Sequence, residues 1–298
     1  MTKKWVIVGI MLLFLTAGVP SKAYSHENNT RLPTAGGNTL YVGGSGSGNY
    51  TTIQSAVNAA HDGDTVFVFD DSSPYHENVI ISKSISLLGE NRLTTIIQGD
   101  SYYYYQVLYA TGENITISDF TLRDGIIGIL GQMNNSRISR AVFENEEAGI
   151  YLMKSSHNTI SDNSFSSCYL FDVYLYDHSM QNTIVNNSLV SSATYGIYLD
   201  RLCDRNRIEK NSIENTANGL SLSWSFFTVI RKNNFINNEN QSYFVNCSWN
   251  LWLGNYWDDW TAKKPRPIDG IRYGYFSQKR GPWTAYDWRP AQEPYDIG

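Results

Sequence analysis

A nine-residue phrase returns along this chain at an almost constant interval. Residues 157–165 read H-N-T-I-S-D-N-S-F, residues 181–189 read Q-N-T-I-V-N-N-S-L, and residues 205–213 read R-N-R-I-E-K-N-S-I. Anchoring on an Ile followed five positions later by a large apolar residue extends the series to six pairs. They are Ile115/Phe120, Ile138/Phe143, Ile160/Phe165, Ile184/Leu189, Ile208/Ile213 and Ile230/Phe235, with first members 23, 22, 24, 24 and 22 residues apart. A propeller blade needs roughly 40 residues or more, so this period is too short for one. Leucine-rich repeats have a similar period, but their L-x-x-L-x-L pattern is missing.

Each unit carries a second phrase with period-two alternation: G-I-Y-L at 149–152, D-V-Y-L at 172–175, G-I-Y-L at 196–199 and G-L-S-L at 219–222. Three short strands per unit cannot close a core alone, but stacked on their neighbours they bury one apolar column. The spacing therefore predicts an all-β solenoid, a parallel β-helix of about eight coils. Asn163, Asn187, Asn211 and Asn233 each follow the Ile by three positions. They are expected at a corner, in the left-handed conformation that Asn tolerates, with their amides bonded from coil to coil.

In the second phrase the Ile and Leu point inward, so the Tyr between them points out. Tyr151, Tyr174 and Tyr198 are then expected as a ladder at roughly 4.8 Å spacing, with Asp172 outward beside it. The following segments carry Lys154 and His157, then Asp177 and His178, then Asp200, Arg201, Asp204 and Arg205. This row reads either as stacking that stabilises the sheet or as a ligand face built from Tyr151, Tyr174, Tyr198, Lys154 and His178. Hydrolysis of a glycosidic bond uses two carboxyls about 5 to 9.5 Å apart. Asp172, Asp177 and Asp200, with Arg201, are the catalytic candidates on that ground, although Arg201 and Arg205 are equally suited to salt bridges with these acids.

The two ends differ from the middle. Lys3 and Lys4 precede an apolar run over residues 5–17, and Ser21-Lys22-Ala23 offers small residues for cleavage. Residues 1–23 read as a signal peptide and 24–37 as a flexible segment, with the β-helix over 38–248. The leader run is short for a bilayer, which takes roughly 20 residues, and nothing after it is apolar enough to span. Residues 50–60 place Ile53, Val57 and Ala60 on one face of a short helix, expected to cover the first coil. Six of the eight Trp lie in residues 249–298 with several Tyr and Pro, a composition that reads as an aromatic cap on the last coil or as a platform of flat rings on which sugars stack. The net charge of −5 carries no basic stripe, which argues against nucleic acid. Cys168, Cys203 and Cys247 form no even framework, and the last two lie two units apart, too far to bridge.

Several motifs together support a resemblance. G-D-T-V-F-V at 63–68, Y-H-E-N-V-I-I at 75–81, S-I-S-L-L-G at 84–89 and T-I-I-Q-G at 95–99 resemble the opening of pectin-lyase-like right-handed parallel β-helix proteins. The N-x-I-x-x-N-x-F coils and G-N-Y-W-D-D-W at 254–260 resemble their NosD-type branch, which belongs to the carbohydrate-binding and sugar-hydrolase group. The resemblance covers residues 38–260 and implies a fold on which many activities occur. Pectin methylesterases share the Tyr75, Glu77, Asn78, Val79 opening, but their Q-D-T-L and D-F-I-F-G motifs have no counterpart here. Of the polygalacturonase motifs only Arg207-Ile208-Glu209-Lys210 resembles one, the R-I-K segment. The calcium-type Asp-rich ending is replaced by Pro267-Ile268-Asp269-Gly270-Ile271, and the 5 His and 5 Met show no paired spacing for copper.

These readings converge on an exported cell-surface or secreted β-helix protein that binds a polysaccharide or surface glycan, or acts as an adhesin. No bound cofactor is expected; calcium fits better than copper. The rivals are a polysaccharide lyase or glycoside hydrolase on the Tyr face, a purely structural envelope component, and a NosD-like copper-related periplasmic protein. Oligomeric state is left open.

Overall fold

The computed structural model describes residues 37–99, 106–144, 146–273 and 280–297. The expected leader, and the segment after it up to residue 36, lie outside the described residues. The repeat folds as a parallel β-helix of about ten turns, against the eight expected. The additional turns come from the ends, where the Ile anchor is absent or, at Trp252, replaced. Thr65–Val68 and Ser86–Gly89 start coils near the N-terminus, and Leu251–Leu253 with Tyr256–Trp257 build one inside the aromatic tail.

A coil has three strands and hence three faces. In one coil they are Thr183–Val185, Ser188–Val190 and Tyr195–Asp200. Each pairs in parallel with its counterpart one coil away, so residues of one kind stack in columns. The first face stacks Ile138, Ile160, Ile184, Ile208, Ile230 and finally Trp252. The second stacks Phe143, Phe165, Leu189, Ile213, Phe235 and Trp257. All of these are buried. Phe143 lies flat on Phe165 at 4.7 Å, and Phe235 on Trp257 at 4.3 Å. The first pair of the series slips by two: Ile138 aligns with Ile117 and Phe143 with Leu122, not with Ile115 and Phe120. All four are buried, so period-two apolarity offered two registers.

The Asn row works differently from expectation. Asn163, Asn187, Asn211 and Asn233 are buried, and the left-handed residue is the one before each: Asp162, Asn186, Lys210 and Lys232, with φ between 52° and 61°. The bend is made by the outward residue, and the Asn side chain fills the corner behind it. Asn187 Nδ2 donates to Ile160 O and to Asn211 Oδ1, while its backbone N–H donates to the same Oδ1. Asn211, Asn233 and Asn255 repeat the motif. The row ends at Asp287, which accepts from Gly254 N, from Asn255 N and Nδ2, and from Trp257 Nε1.

A second row stands at the corner between the third and first faces. Asn158 donates to Asn182 Oδ1, and Asn182 donates from its backbone to Asn206 Oδ1. Asn182 is as buried as Asn187 and, like it, is bonded to the coils on both sides.

Near the N-terminus, Ile53–Ala59 is helical and joins Thr39–Val42 to Thr65–Val68. Thr52 is its N-cap, and Glu77 accepts from Ile53 N at 2.7 Å and Gln54 N at 2.9 Å. The Glu of the Y-x-E-N-V opening therefore ties the helix to the next coil, a scaffold role. Among the described residues no helix is long and apolar enough to cross a membrane.

Candidate functional site

The third face is built from Ala148–Met153, Phe171–Tyr176, Tyr195–Asp200 and Asn218–Ser223. Parallel pairing places Tyr151, Tyr174 and Tyr198 in one column, as the alternation predicts. Their rings stack at 4.7 Å and 5.2 Å. Three rings that the four-residue phrase did not reveal widen the row into a patch. Phe171 stacks on Tyr174 at 4.5 Å and Tyr195 on Tyr198 at 4.9 Å, while Tyr176 meets Tyr151 edge-on. The signal was in the same strands, three positions before the Tyr for Phe171 and Tyr195 and two after it for Tyr176. Ser221 ends the run on the C-terminal side of Tyr198.

Burial among neighbouring rings raises the Tyr174 hydroxyl pKa well above its usual range, and pushes Tyr198 up to about 12. These phenols stay protonated at any physiological pH, so they act as hydrogen-bond partners and not as bases.

The charged rim is real but mostly self-paired. Asp177 Oδ1 lies 2.8 Å from His178 Nδ1, and Lys154 Nζ is 3.6 Å from Asp177 Oδ2. His178 and then Lys154 hold the Asp177 carboxyl below its ordinary range. Asp200 aligns with Tyr176 one coil away and lies 3.9 Å from Arg201 Nε. The Arg201 guanidinium sits over the Tyr176 ring at 5.1 Å. Lys154, Asp177, His178, Asp200 and Arg201 thus gather along one edge of the aromatic patch.

Asp172 does not join them. It is fully buried, and its place in the coil is that of Gly149 and Gly196. Both Asp172 and Val173 face the interior, as do the paired residues Gly149 and Ile150, and Gly196 and Ile197, in the neighbouring coils. Extrapolating alternation backward from Tyr174 therefore gave the wrong side. Among the described residues neither Asp172 oxygen nor either Glu146 oxygen has a hydrogen-bond partner. Burial raises Asp172 far above the usual carboxylate range and Glu146 to about 8. The buried Cys168 thiol between them is raised as well. This is a core feature without solvent access.

The three cysteines are free and buried, as small core residues. Burial pushes the thiols of Cys203 and Cys247 up to about 12. Among the described residues no three His, Cys, Asp or Glu side chains come together in a way that could hold a metal ion.

In fold, the chain is similar to the A-module of a mannuronan C-5 epimerase, AlgE6, from Azotobacter vinelandii. The TM-score is 0.52 at 15% identity, covering 68% of this chain and 70% of that one. The catalytic domain of a GH87 α-1,3-glucanase in complex with nigerose matches with a TM-score of 0.47 at 10% identity, over 82% of this chain and 57% of that one. An alginate lyase from Paenibacillus sp. FPU-7 matches at 0.38 and 12% identity, over 72% of this chain and 95% of that one. No curated protein matches in sequence. The family model described as periplasmic copper-binding protein (NosD) matches residues 57–262, more than half of the sequence, and the chain belongs to that family.

Proposed function

We propose that this protein binds a polysaccharide or surface glycan outside the cytoplasm, laid along the third face. The observation that carries the reading is the contiguous patch of Tyr151, Phe171, Tyr174, Tyr176, Tyr195 and Tyr198 bordered by a charged rim. Protonated phenols and the Lys154, His178 and Arg201 side chains offer hydrogen bonds to sugar hydroxyls or carboxylates. The periplasmic description of the family fits an extracytoplasmic site, and a fold shared with a mannuronan C-5 epimerase module fits a glycan partner. For the copper in the family description, no three His, Cys, Asp or Glu side chains gather among the described residues to hold it.

Hydrolysis or lyase chemistry has less support. A general acid needs a carboxyl raised toward neutral pH and open to substrate. The raised carboxyls, Glu146 and Asp172, are buried in the core, and Asp177 at the rim is held low. The reading is tested by retention of the purified protein on a glycan panel, with reducing-sugar release measured in parallel. We expect retention without turnover, weakened roughly tenfold or more by Tyr174→Ala. Retention untouched by Tyr174→Ala and by Asp200→Asn would reduce the face to scaffold, and turnover abolished by Asp200→Asn would make it an active site.

A further inference from the structure

The tyrosine patch has a physical limit as a sugar platform. Tyr174 stacks on Tyr151 on one side and on Tyr198 on the other. A ring stacked on both faces presents only its edge and hydroxyl to a ligand. Sugars stack on free faces, where the negative π surface meets polarised C–H groups.

Faces not covered by other rings occur at the corner between the third and first faces in the last coils. Trp224, Phe227 and Trp249 are 44%, 51% and 62% exposed. None of them stacks on another ring among the described residues. Their backbones are left-handed, with φ of 48°, 58° and 62°. The equivalent left-handed positions of earlier coils hold polar residues: Lys154 and Arg201 in the Trp224 row, and His157, Gln181 and Arg205 in the row of Phe227 and Trp249. The fold thus needs a left-handed residue here but not a ring. A bulky aromatic is among the least favoured choices for that conformation, and strain of this kind concentrates at functional sites.

We infer that Trp224, Phe227 and Trp249 form the stacking platform on which sugar rings of the glycan sit, beside the hydrogen-bonding tyrosine face. The inference rests on the glycan-binding reading and locates its apolar anchor. Thr228 N donates to Asn250 Oδ1, so Phe227 and Trp249, the residues just before them, occupy adjacent coils about 4.8 Å apart. Arg205 lies over the Phe227 ring at 5.9 Å. The platform is continuous with the third face, because Arg201, next to Leu202 at this corner, covers Tyr176. Asp200, Asp204, Arg201 and Arg205 interleave with the rings. A bilayer would have to strip water from these charges, whereas a hydrated sugar chain meets them with hydroxyls.

The test compares Trp249→Ala, Phe227→Ala and Tyr174→Ala on the glycans retained by the wild-type protein, with vesicles of phosphatidylcholine and phosphatidylglycerol as a second arm. Circular dichroism confirms that each variant is folded. We expect Trp249→Ala and Phe227→Ala each to weaken glycan retention about tenfold, the pair more, and ligand to shift the tryptophan emission of the wild type. If Tyr174→Ala weakens retention while both corner variants bind as wild type, the platform is overturned and the glycan-binding reading stands. If the wild type retains no glycan, both fall. Vesicle binding lost in Trp249→Ala, with glycan retention unchanged, would assign the corner to a membrane surface and overturn the inference.

Discussion

The corner between the third and first faces carries two kinds of row, one turned inward and one outward, on the same backbone. Inward, successive coils place Ser155, Ser179, Cys203, Ser225 and Cys247, then Asn158, Asn182, Asn206 and Thr228, all buried. Outward, they place Lys154, Asp177, Arg201, Trp224 and Asn246, then His157, Gln181, Arg205, Phe227 and Trp249, all left-handed. The inward rows accept only small side chains or amides, because each must meet the backbone of the coil below. The outward rows accept cations, an acid, amides and indoles at one fixed φ. Side-chain identity therefore reports the needs of the fold on the inside and the surroundings of the molecule on the outside.

The sharpest way to break this distinction is a charge inside. Ile184 stacks between Ile160 and Ile208 with no exposure, so Ile184→Asp should cost several kcal/mol and prevent folding. A wild-type unfolding midpoint would refute the register. The next effect is a pH slope. Glu146 keeps its proton in the folded state until about pH 8, whereas the unfolded chain releases it near its ordinary value of 4.5. Folding therefore binds a proton, and stability should fall as pH rises from about 4.5 to 8 and level off above, by a few kcal/mol in all. Asp172, also raised by burial, acts in the same direction. Denaturant titrations across that range should show Glu146→Gln flattening the slope and Glu146→Gln with Asp172→Asn removing it. An unchanged slope in the double variant would place the linkage elsewhere.

Smaller effects sharpen the comparison. Asn187→Ala and Asn182→Ala each remove a buried amide bonded to both neighbouring coils, and each should cost about 1–3 kcal/mol. A cost at Asn187 alone would mean that the second corner tolerates gaps. Outside, Phe227→Asn should leave stability unchanged or raise it by up to about 1 kcal/mol, since Asn adopts the left-handed region more readily than Phe. A loss above that would show the ring packing on the fold.

The columns and amide rows were legible because every coil repeats the same demand, and a demand repeated six times leaves a period. What escaped was set once. Ile115 and Ile117 are equally apolar, so only pairing with Ile138 decides between them. Asp172 escaped for a different reason: it takes the first of two successive inward positions that each neighbouring coil also has, filled there by Gly149 and Gly196, and strict alternation does not anticipate two inward residues in a row. Nothing in Glu144-Asn145-Glu146-Glu147 separates the buried Glu146 from a solvated neighbour. The tyrosine column followed from alternation, while Phe171, Tyr176 and Tyr195 lay just beyond the phrase. The lack of stacking around Phe227 and Trp249 depends on ring positions, which letters do not carry.

The amide row of the first corner has a direction and an end. Each Asn passes a hydrogen from its amide nitrogen to the oxygen of the next, from Asn163 through Asn255. Such a relay is silent about length, since every member both receives and hands on, and another coil could always be appended. Asp287 receives from Asn255, and its side chain has no amide nitrogen with which to hand a hydrogen on. A difference of one atom type, oxygen where the amides have nitrogen, is a stop sign written in acceptors. Asp287→Asn would put back the amide nitrogen and let the relay run on past this position.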